Sequence, residues 1–282
     1  MSRCEAAMLV WIALGTFSGA SVAEPTAIDV RVMSKGAKFI GTSMGGVEVV
    51  IRDADTGAIL AHGRTEGTTG DTDALMKRKA VHHAPVATED SAVFRAVVDL
   101  AEPRVVKVTA RGPLAQRQAA NVATVTQWIV PGRPVTGADG LVLELPGFVV
   151  DVLAPPAHTT LSGPRHSLSL RANVCMMCGC SVTPGGLWDA DQFEVAGIVH
   201  RDGEKLATVP LEYAGRASQF ETTLEIDQAG IYEVTVFAYD PENGNTGVDR
   251  TTFIVIDRRG ARLERARNRS QHSGARVRHN RC

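Results

Sequence analysis

Three cysteines occur within six residues of one another, and two methionines separate the first two. The cluster consists of Cys175, Met176, Met177, Cys178 and Cys180. Thiolates and thioethers are soft ligands, and softness selects Cu(I). Zinc or an iron–sulfur cluster would need a fourth ligand, which for zinc could be Cys282 or a histidine. The cluster therefore predicts a soft-metal site, with copper(I) preferred to zinc.

The same spacing also permits a disulfide without any metal. Cys175 with Cys178, or Cys178 with Cys180, could close a small loop and leave the third thiol buried, reactive or paired with Cys282. Met176 and Met177 would then be ordinary core residues. Redox exchange is a third possibility, although no βαβ pattern surrounds the motif. A copper site predicts three sulfurs around one point, whereas a structural disulfide predicts two bonded sulfurs and a third that points away.

A second group of possible ligands lies in a polar insertion in the first half of the chain. His82 and His83 follow Met76 there, and imidazole suits copper and zinc. Two adjacent histidines rarely face one ion, so solvated side chains are the alternative.

No catalytic motif accompanies either group of candidate ligands. The sequence contains no H-E-x-x-H and no glycine loop of the phosphate-binding or dinucleotide-binding type. The spacing G-x-S-x-G occurs at residues 41–45, but it lies between two predicted strands and not between a strand and a helix, as a nucleophile elbow requires. We therefore expect a binding protein rather than an enzyme.

The N-terminus predicts export. Arg3 precedes an apolar run from residue 8 to 17, and small residues lead to a cleavage site between Ala23 and Glu24. The run is too short to span a bilayer of about 30 Å, although a membrane anchor is the alternative. The mature protein is expected to be periplasmic or secreted, where thiols tend to become disulfides.

The chain has 282 residues, 44% of them hydrophobic and 22% charged, which is typical of a globular protein with two modest domains. In the first domain the predicted strands are 28–33, 47–52, 59–64, 93–100, 105–111, 122–130 and 141–153. Turn residues 53–57 predict a hairpin between the second and third strands. Residues 72–81 predict one or two helical turns capped by Asp71 or Thr72.

The fragment VEVVIRDADTGAILAHGRTEG resembles transthyretin-like or carboxypeptidase-regulatory-like domains. These are small seven-stranded sandwiches found as accessory modules in exported bacterial proteins. The resemblance implies a fold, and no activity follows from it.

A second domain is predicted after the cluster Ala154, Pro155 and Pro156, because paired prolines stiffen a chain and interrupt strand pairing. Its predicted strands are 167–174, 193–200, 208–213, 219–226, 232–240 and 251–256. The segment DQAGIYEVTVFAYDPENGNTGVDRTTFIV resembles the last hairpin of bacterial immunoglobulin-like domains. That resemblance implies a sandwich that serves binding and spacing more often than catalysis.

The C-terminal segment 258–282 contains nine arginines and one glutamate and almost no apolar residues. We expect a disordered tail, because such a segment cannot bury enough surface to offset its ordering entropy. Its charge could serve contact with anionic lipid, polysaccharide or nucleic acid without a specific nucleic-acid partner. A solvated tail of no specific function is the alternative.

Together these features predict an all-β chain with two β-sandwich domains in tandem. Its parts are a signal peptide (1–23), a transthyretin-like sandwich (24–154), an immunoglobulin-like sandwich (155–257) and a basic tail (258–282). We expect an exported protein that handles Cu(I) through its Cys-x-x-Cys-x-Cys loop. The alternative is a structural or adhesive interaction module whose cysteines form a local disulfide. The expected partner is a metal ion or another exported protein, and no segment of the mature chain is predicted to cross a membrane.

Overall fold

The computed structural model describes residues 22–77, 84–163 and 165–257. In these ranges the protein consists of sixteen β-strands in four sheets, with one short α-helix and three 3-10 turns. The predicted all-β sandwich class is therefore confirmed. No helix in the described ranges has the length and hydropathy needed to span a membrane. The predicted tail, and all but two residues of the predicted signal peptide, lie outside the described residues.

Seven strands form the first sandwich. They are β1 (Glu24–Ser34), β2 (Glu48–Asp53), β3 (Ile59–Arg64), β4 (Phe94–Leu100), β5 (Arg104–Gly112), β6 (Asn121–Ile129) and β7 (Leu141–Leu145). One sheet has the order β4-β1-β7, with β7 parallel to β1, and the other has the order β3-β2-β5-β6. Alternate residues point into a shared core, in which Ile28, Val49 and Val108 are fully buried.

The predicted hairpin joins β2 to β3. The carboxylate of Asp53 closes its turn by accepting hydrogen bonds from the backbone N–H groups of Asp55 and Thr56, at 3.0 and 2.8 Å. Gly57 completes the turn with a φ of 73°, a left-handed conformation that favours glycine.

The helix α1 (Thr72–Met76) lies in the polar insertion between β3 and β4. Asp71 caps it, as predicted, by accepting a hydrogen bond from the N–H of Ala74 at 2.7 Å. The helix is shorter than the predicted range 72–81. Residues 78–83 lie outside the described residues, so the predicted ligands His82 and His83 have no described position.

Nine strands form the second sandwich. They are β8 (Phe148–Ala154), β9 (Thr159–Ser162), β10 (His166–Met176), β11 (Glu194–Arg201), β12 (Glu204–Pro210), β13 (Glu212–Tyr213), β14 (Gln219–Ile226), β15 (Gly230–Tyr239) and β16 (Thr246–Ile256). The sheets have the orders β13-β14-β10-β8 and β12-β11-β15-β16-β9. This is the strand order of an immunoglobulin-like sandwich. In the letters used for that fold, the first sheet contains A (β8), B (β10), E (β14) and D (β13), and the second contains C (β11), F (β15) and G (β16).

Tyr232 supports the immunoglobulin-like description. It lies near the start of β15, and its hydroxyl donates a hydrogen bond to the backbone carbonyl of Gln228, four residues upstream, at 2.9 Å. Its ring stacks on Phe253 with the centroids 5.0 Å apart. A tyrosine that bonds back across the corner before strand F is a recurrent feature of these sandwiches.

Two of the predicted strands are each divided in the structure. Residues 141–153 form β7 and β8, which belong to different sandwiches, because the chain turns at Pro146 and Gly147. Residues 208–213 are divided between β12 and β13, which lie in different sheets. The predicted domain boundary after residue 154 stays a prediction, although β8 hydrogen-bonds to β10 of the second sandwich.

Candidate functional site: the cysteine loop

The cysteine cluster lies where β10 ends and the chain reverses. The N–H of Gly179 donates to the carbonyl of Met176 at 2.8 Å, and the N–H of Met176 donates to the carbonyl of Cys180 at 3.1 Å. Gly179 has a φ of 78°, which the reversal requires. These bonds define the segment 175–180, which we call the cysteine loop.

The side chains of the cysteine loop alternate between the two hydrophobic cores. Cys175 and Met177 belong to the core of the first sandwich, whereas Met176 and Cys178 belong to the core of the second. Successive side chains of an extended chain point in opposite directions, so the end of β10 separates the two cores. All four side chains are at most 9% exposed. The loop therefore forms part of the wall between the sandwiches.

Cys178 and Cys180 form a disulfide with their Cα atoms 5.4 Å apart. Cys175 is unbonded and buried. This is one of the two pairings that the spacing left open, and it supports the local-disulfide alternative. The remaining thiol lies on the other side of the wall, in a different core from Cys178.

The predicted copper or zinc site receives no support from this arrangement. Two of its three candidate thiolates are bonded to each other. The candidate thioethers, Met176 and Met177, are 1% and 0% exposed and serve as core residues. Across the part of the chain that the structure describes, no group of three or more His, Cys, Asp or Glu side chains is arranged to hold a metal ion. Copper(I) binding stays a prediction.

Burial changes the chemistry of Cys175. Burial raises the pKa of the Cys175 thiol, the negative charge of Asp151 adds a smaller effect in the same direction, and together they bring it from 9.0 to about 11. The thiolate is the form that attacks electrophiles and binds metals, so the neutral thiol is poorly suited to either role near pH 7. Cys175 behaves as a small apolar residue of the first core.

Hydrogen bonds tie the two sandwiches together beside the cysteine loop. Asn245, which is 0% exposed, accepts a hydrogen bond from the N–H of Gly147 and donates one to the carbonyl of Lys35, each at 3.1 Å. The ammonium group of Lys35 donates in turn to the carbonyl of Asn243 at 2.7 Å. The turn after β1 is therefore bound to the turn between β15 and β16.

Trp188 adds a further contact across the junction. Its indole packs against the core of the second sandwich, and its Nε1–H donates to the carbonyl of Gly36 in the first at 3.0 Å. These roles could not be predicted from the sequence, because the partners of Asn245 and Trp188 are 98 to 210 residues away along the chain. The sequence near Asn245 indicates only a turn, because residues 240–245 are of turn-forming types.

Comparisons with known proteins return only weak structural similarities. No protein-family model matches the chain, and no curated protein does. An engineered protein is 18% identical, with a TM-score of 0.28 over 42% of this chain and 22% of its own length. Fibronectin(III)-like modules of CbhA from Clostridium thermocellum are 14% identical, with a TM-score of 0.28 over 86% of this chain and 94% of theirs. A chain from the structure of Dpr2 Ig1-Ig2 in complex with DIP-Theta Ig1-Ig3 is 13% identical, with a TM-score of 0.27 over 83% of this chain and 99% of its own length. Scores this low carry no implication for function.

Proposed function

We propose that this protein is an exported, non-enzymatic interaction module built from two firmly joined β-sandwiches. The observation that carries the proposal is the position of the cysteine loop. Residues 175–178 of the most chemically distinctive motif in the sequence are buried between the two cores, and a disulfide closes the loop. We therefore assign the motif the role of holding the junction. Such a junction fixes the direction in which the outer faces of both sandwiches are presented to a partner.

The two folds are compatible with this role but do not establish it. The first sandwich has seven strands in two sheets, which is the number implied by the transthyretin-like resemblance, and we assign it to that class of accessory module. The second has the immunoglobulin-like strand order. Sandwiches of this kind host many unrelated functions, so the assignment to binding rests on the buried cysteine loop and not on the fold.

The disulfide supports the proposed location. Disulfides form and persist in oxidising compartments and are rare in reducing ones. A bonded Cys178–Cys180 pair therefore agrees with the export signal predicted at the N-terminus. We assign the mature protein to the periplasm or the extracellular space on these two grounds.

Metal analysis of the exported protein tests the proposal against copper handling. We expect protein purified from the exported fraction after growth with copper to contain far less than one copper per chain. The Cys178→Ser variant should give the same low value. Near-stoichiometric copper that is lost in Cys178→Ser would overturn the proposal in favour of copper(I) binding.

Small-angle X-ray scattering tests the second element of the proposal, the fixed junction. We expect the wild-type profile to fit one arrangement of the two sandwiches. The Asn245→Ala variant, which removes two cross-junction hydrogen bonds, should broaden the distance distribution. A broad distribution in the wild type would contradict a fixed junction.

A further inference from the structure

The outer face of the sheet β3-β2-β5-β6 is basic and uncovered in the described structure. We call it the basic face. Its outward residues, read from the strand register, include four basic side chains, Arg64 of β3, Arg52 of β2, and Lys107 and Arg111 of β5, and one acidic side chain, Glu48 of β2. Ile59 of β3, which is 57% exposed, lies opposite Arg52. Four arginines and lysines stand against one glutamate there. At about 4.8 Å between strands and about 3.3 Å per residue, the face measures roughly 14 by 20 Å.

Two like charges face each other at the centre of this surface. Arg52 and Lys107 are directly opposite in the register of β2 and β5, and both are exposed. Like charges at opposed positions destabilise a sheet, and a bound anion would remove that repulsion. Within the described ranges, Arg52, Lys107 and Arg111 take part in none of the ion pairs, so their charges are available.

The edge strand β6 adds hydroxyl groups and one aromatic ring. Thr124 and Thr126 are exposed along it, and the hydroxyls of Thr124 and Thr109 lie 3.2 Å apart. Trp128 follows at the end of the strand and is 66% exposed, which is unusual for so large an apolar side chain. Threonine hydroxyls both donate and accept hydrogen bonds, and an indole face offers a flat apolar platform.

The rest of the protein does not share this charge. The chain as a whole has 30 basic and 31 acidic side chains, and nine of the basic ones lie in the segment 258–282. The outer face of the sheet β13-β14-β10-β8 carries Glu212, Glu221 and Glu225 against one arginine, Arg171, and Glu221 lies between Glu212 and Arg171. The basic face is therefore a local exception on an otherwise acidic body.

We propose that the basic face binds an anionic polysaccharide, with Arg52, Lys107 and Arg111 on its carboxylate or sulfate groups and Trp128 stacked on a sugar ring. A flat face lined with hydroxyls matches an extended polymer that carries both hydroxyls and charges. A bilayer surface would favour clustered apolar residues. On this face Val105 lies opposite Trp128, but Ile59 lies opposite Arg52 and Val122 lies opposite Arg111, so charges separate the apolar side chains. The inference names the partner class of the interaction module proposed above and rests on that proposal.

Affinity electrophoresis of the full chain in gels that contain polygalacturonate tests the assignment, with dextran as the neutral polymer. The double variant Arg52→Ala/Lys107→Ala removes the central pair. Its control, Arg95→Ala/Lys205→Ala, removes the same charge from exposed positions on other sheets. Because the segment 258–282 is identical in both variants, the difference between them isolates the basic face. Thermal melting checks that both variants are folded.

We expect binding to polygalacturonate, none to dextran, and roughly tenfold weaker binding for Arg52→Ala/Lys107→Ala, with the control within about twofold of wild type. Trp128→Ala should also weaken binding, whereas Val97→Ala, equally exposed on the other sheet of the first sandwich, should not. Equal losses in the two double variants would overturn the inference, and so would an unchanged Trp128→Ala. Tighter binding to duplex DNA or to phosphatidylglycerol vesicles, with the same dependence on Arg52 and Lys107, would overturn the assignment to a glycan. None of these outcomes affects the metal analysis or the scattering experiment that test the interaction module. A failure of the glycan assignment can therefore be told apart from a failure of the proposed function.

Discussion

Asn245 offers a quantitative test of the junction between the sandwiches. The Asn245→Ala variant leaves two backbone groups without their partners, the N–H of Gly147 and the carbonyl of Lys35. Gly147 is buried, so its unpaired N–H should cost about 1–3 kcal/mol. Lys35 is half-buried and its carbonyl can reach water, which limits its share to about 0.5–1 kcal/mol. We expect the free energy of unfolding to fall by about 1.5–4 kcal/mol in total.

Urea denaturation followed by circular dichroism and tryptophan fluorescence measures this change. The matched control is Asn121→Ala, because the side chain of Asn121 also bridges to the junction, donating to the carbonyl of Pro146 at 3.0 Å, but from an exposed position. Water can replace that bond, so we expect a loss below about 0.5 kcal/mol. If Asn245→Ala and Asn121→Ala both lowered the free energy of unfolding by the same small amount, the claim that buried hydrogen bonds hold the junction would be refuted.

Three further predictions concern the cysteine loop. The thiol of Cys175 should react with iodoacetamide far more slowly at pH 8 than an exposed cysteine in a peptide. Because its pKa rises from 9.0 to about 11 on folding, the unfolded chain ionises first as the pH rises, and the free energy of unfolding should fall between pH 9 and pH 11. A native labelling rate equal to that of the peptide would contradict this. Replacing Cys178 and Cys180 together by alanine opens a loop of only three residues, so we expect the free energy of unfolding to fall by about 1.5 kcal/mol, measured by thermal or urea denaturation. An unchanged free energy of unfolding would show that the pair is reduced in solution. Gly179→Ala should lower the free energy of unfolding by about 1–2 kcal/mol because residue 179 has a left-handed backbone. Its loss should exceed that of Gly57→Ala, because a Cβ at residue 179 lies 2.7 Å from Sδ of Met44 whereas a Cβ at residue 57 meets no atom within 4 Å. Equal losses in the two glycine variants would count against the contact with Met44.

The local features of the fold were predictable from sequence because their causes are local. The hairpin between β2 and β3 follows from Asp53 and Gly57, which supply the turn's hydrogen bonds and its left-handed residue. The start of α1 follows from the cap at Asp71. Alternating polarity located most of the strands, since each has one face toward a core.

The features that the sequence did not predict depend on distant parts of the chain. The break at Pro146 and Gly147 arises because β7 pairs with β1, more than a hundred residues upstream, while β8 pairs with β10. An apolar run has the same sequence pattern whether its side chains enter one core or two. The sequence therefore could not predict that Cys175 and Met177 pack in the first core whereas Met176 and Cys178 pack in the second. The disulfide pairing could not be predicted for the same reason, because Cys175 and Cys178 lie in different cores.

Disulfide mapping of the native protein tests the central claim most directly. Free thiols are alkylated with one reagent before unfolding and with a second, heavier one after it, and the non-reduced peptide that contains residues 175–180 is then fragmented in a mass spectrometer. We expect a bond between Cys178 and Cys180, with Cys175 carrying the second reagent alone, because it is buried in the first core. All three cysteines carrying the first reagent, or a copper ion released in equal amount on unfolding, would contradict the account.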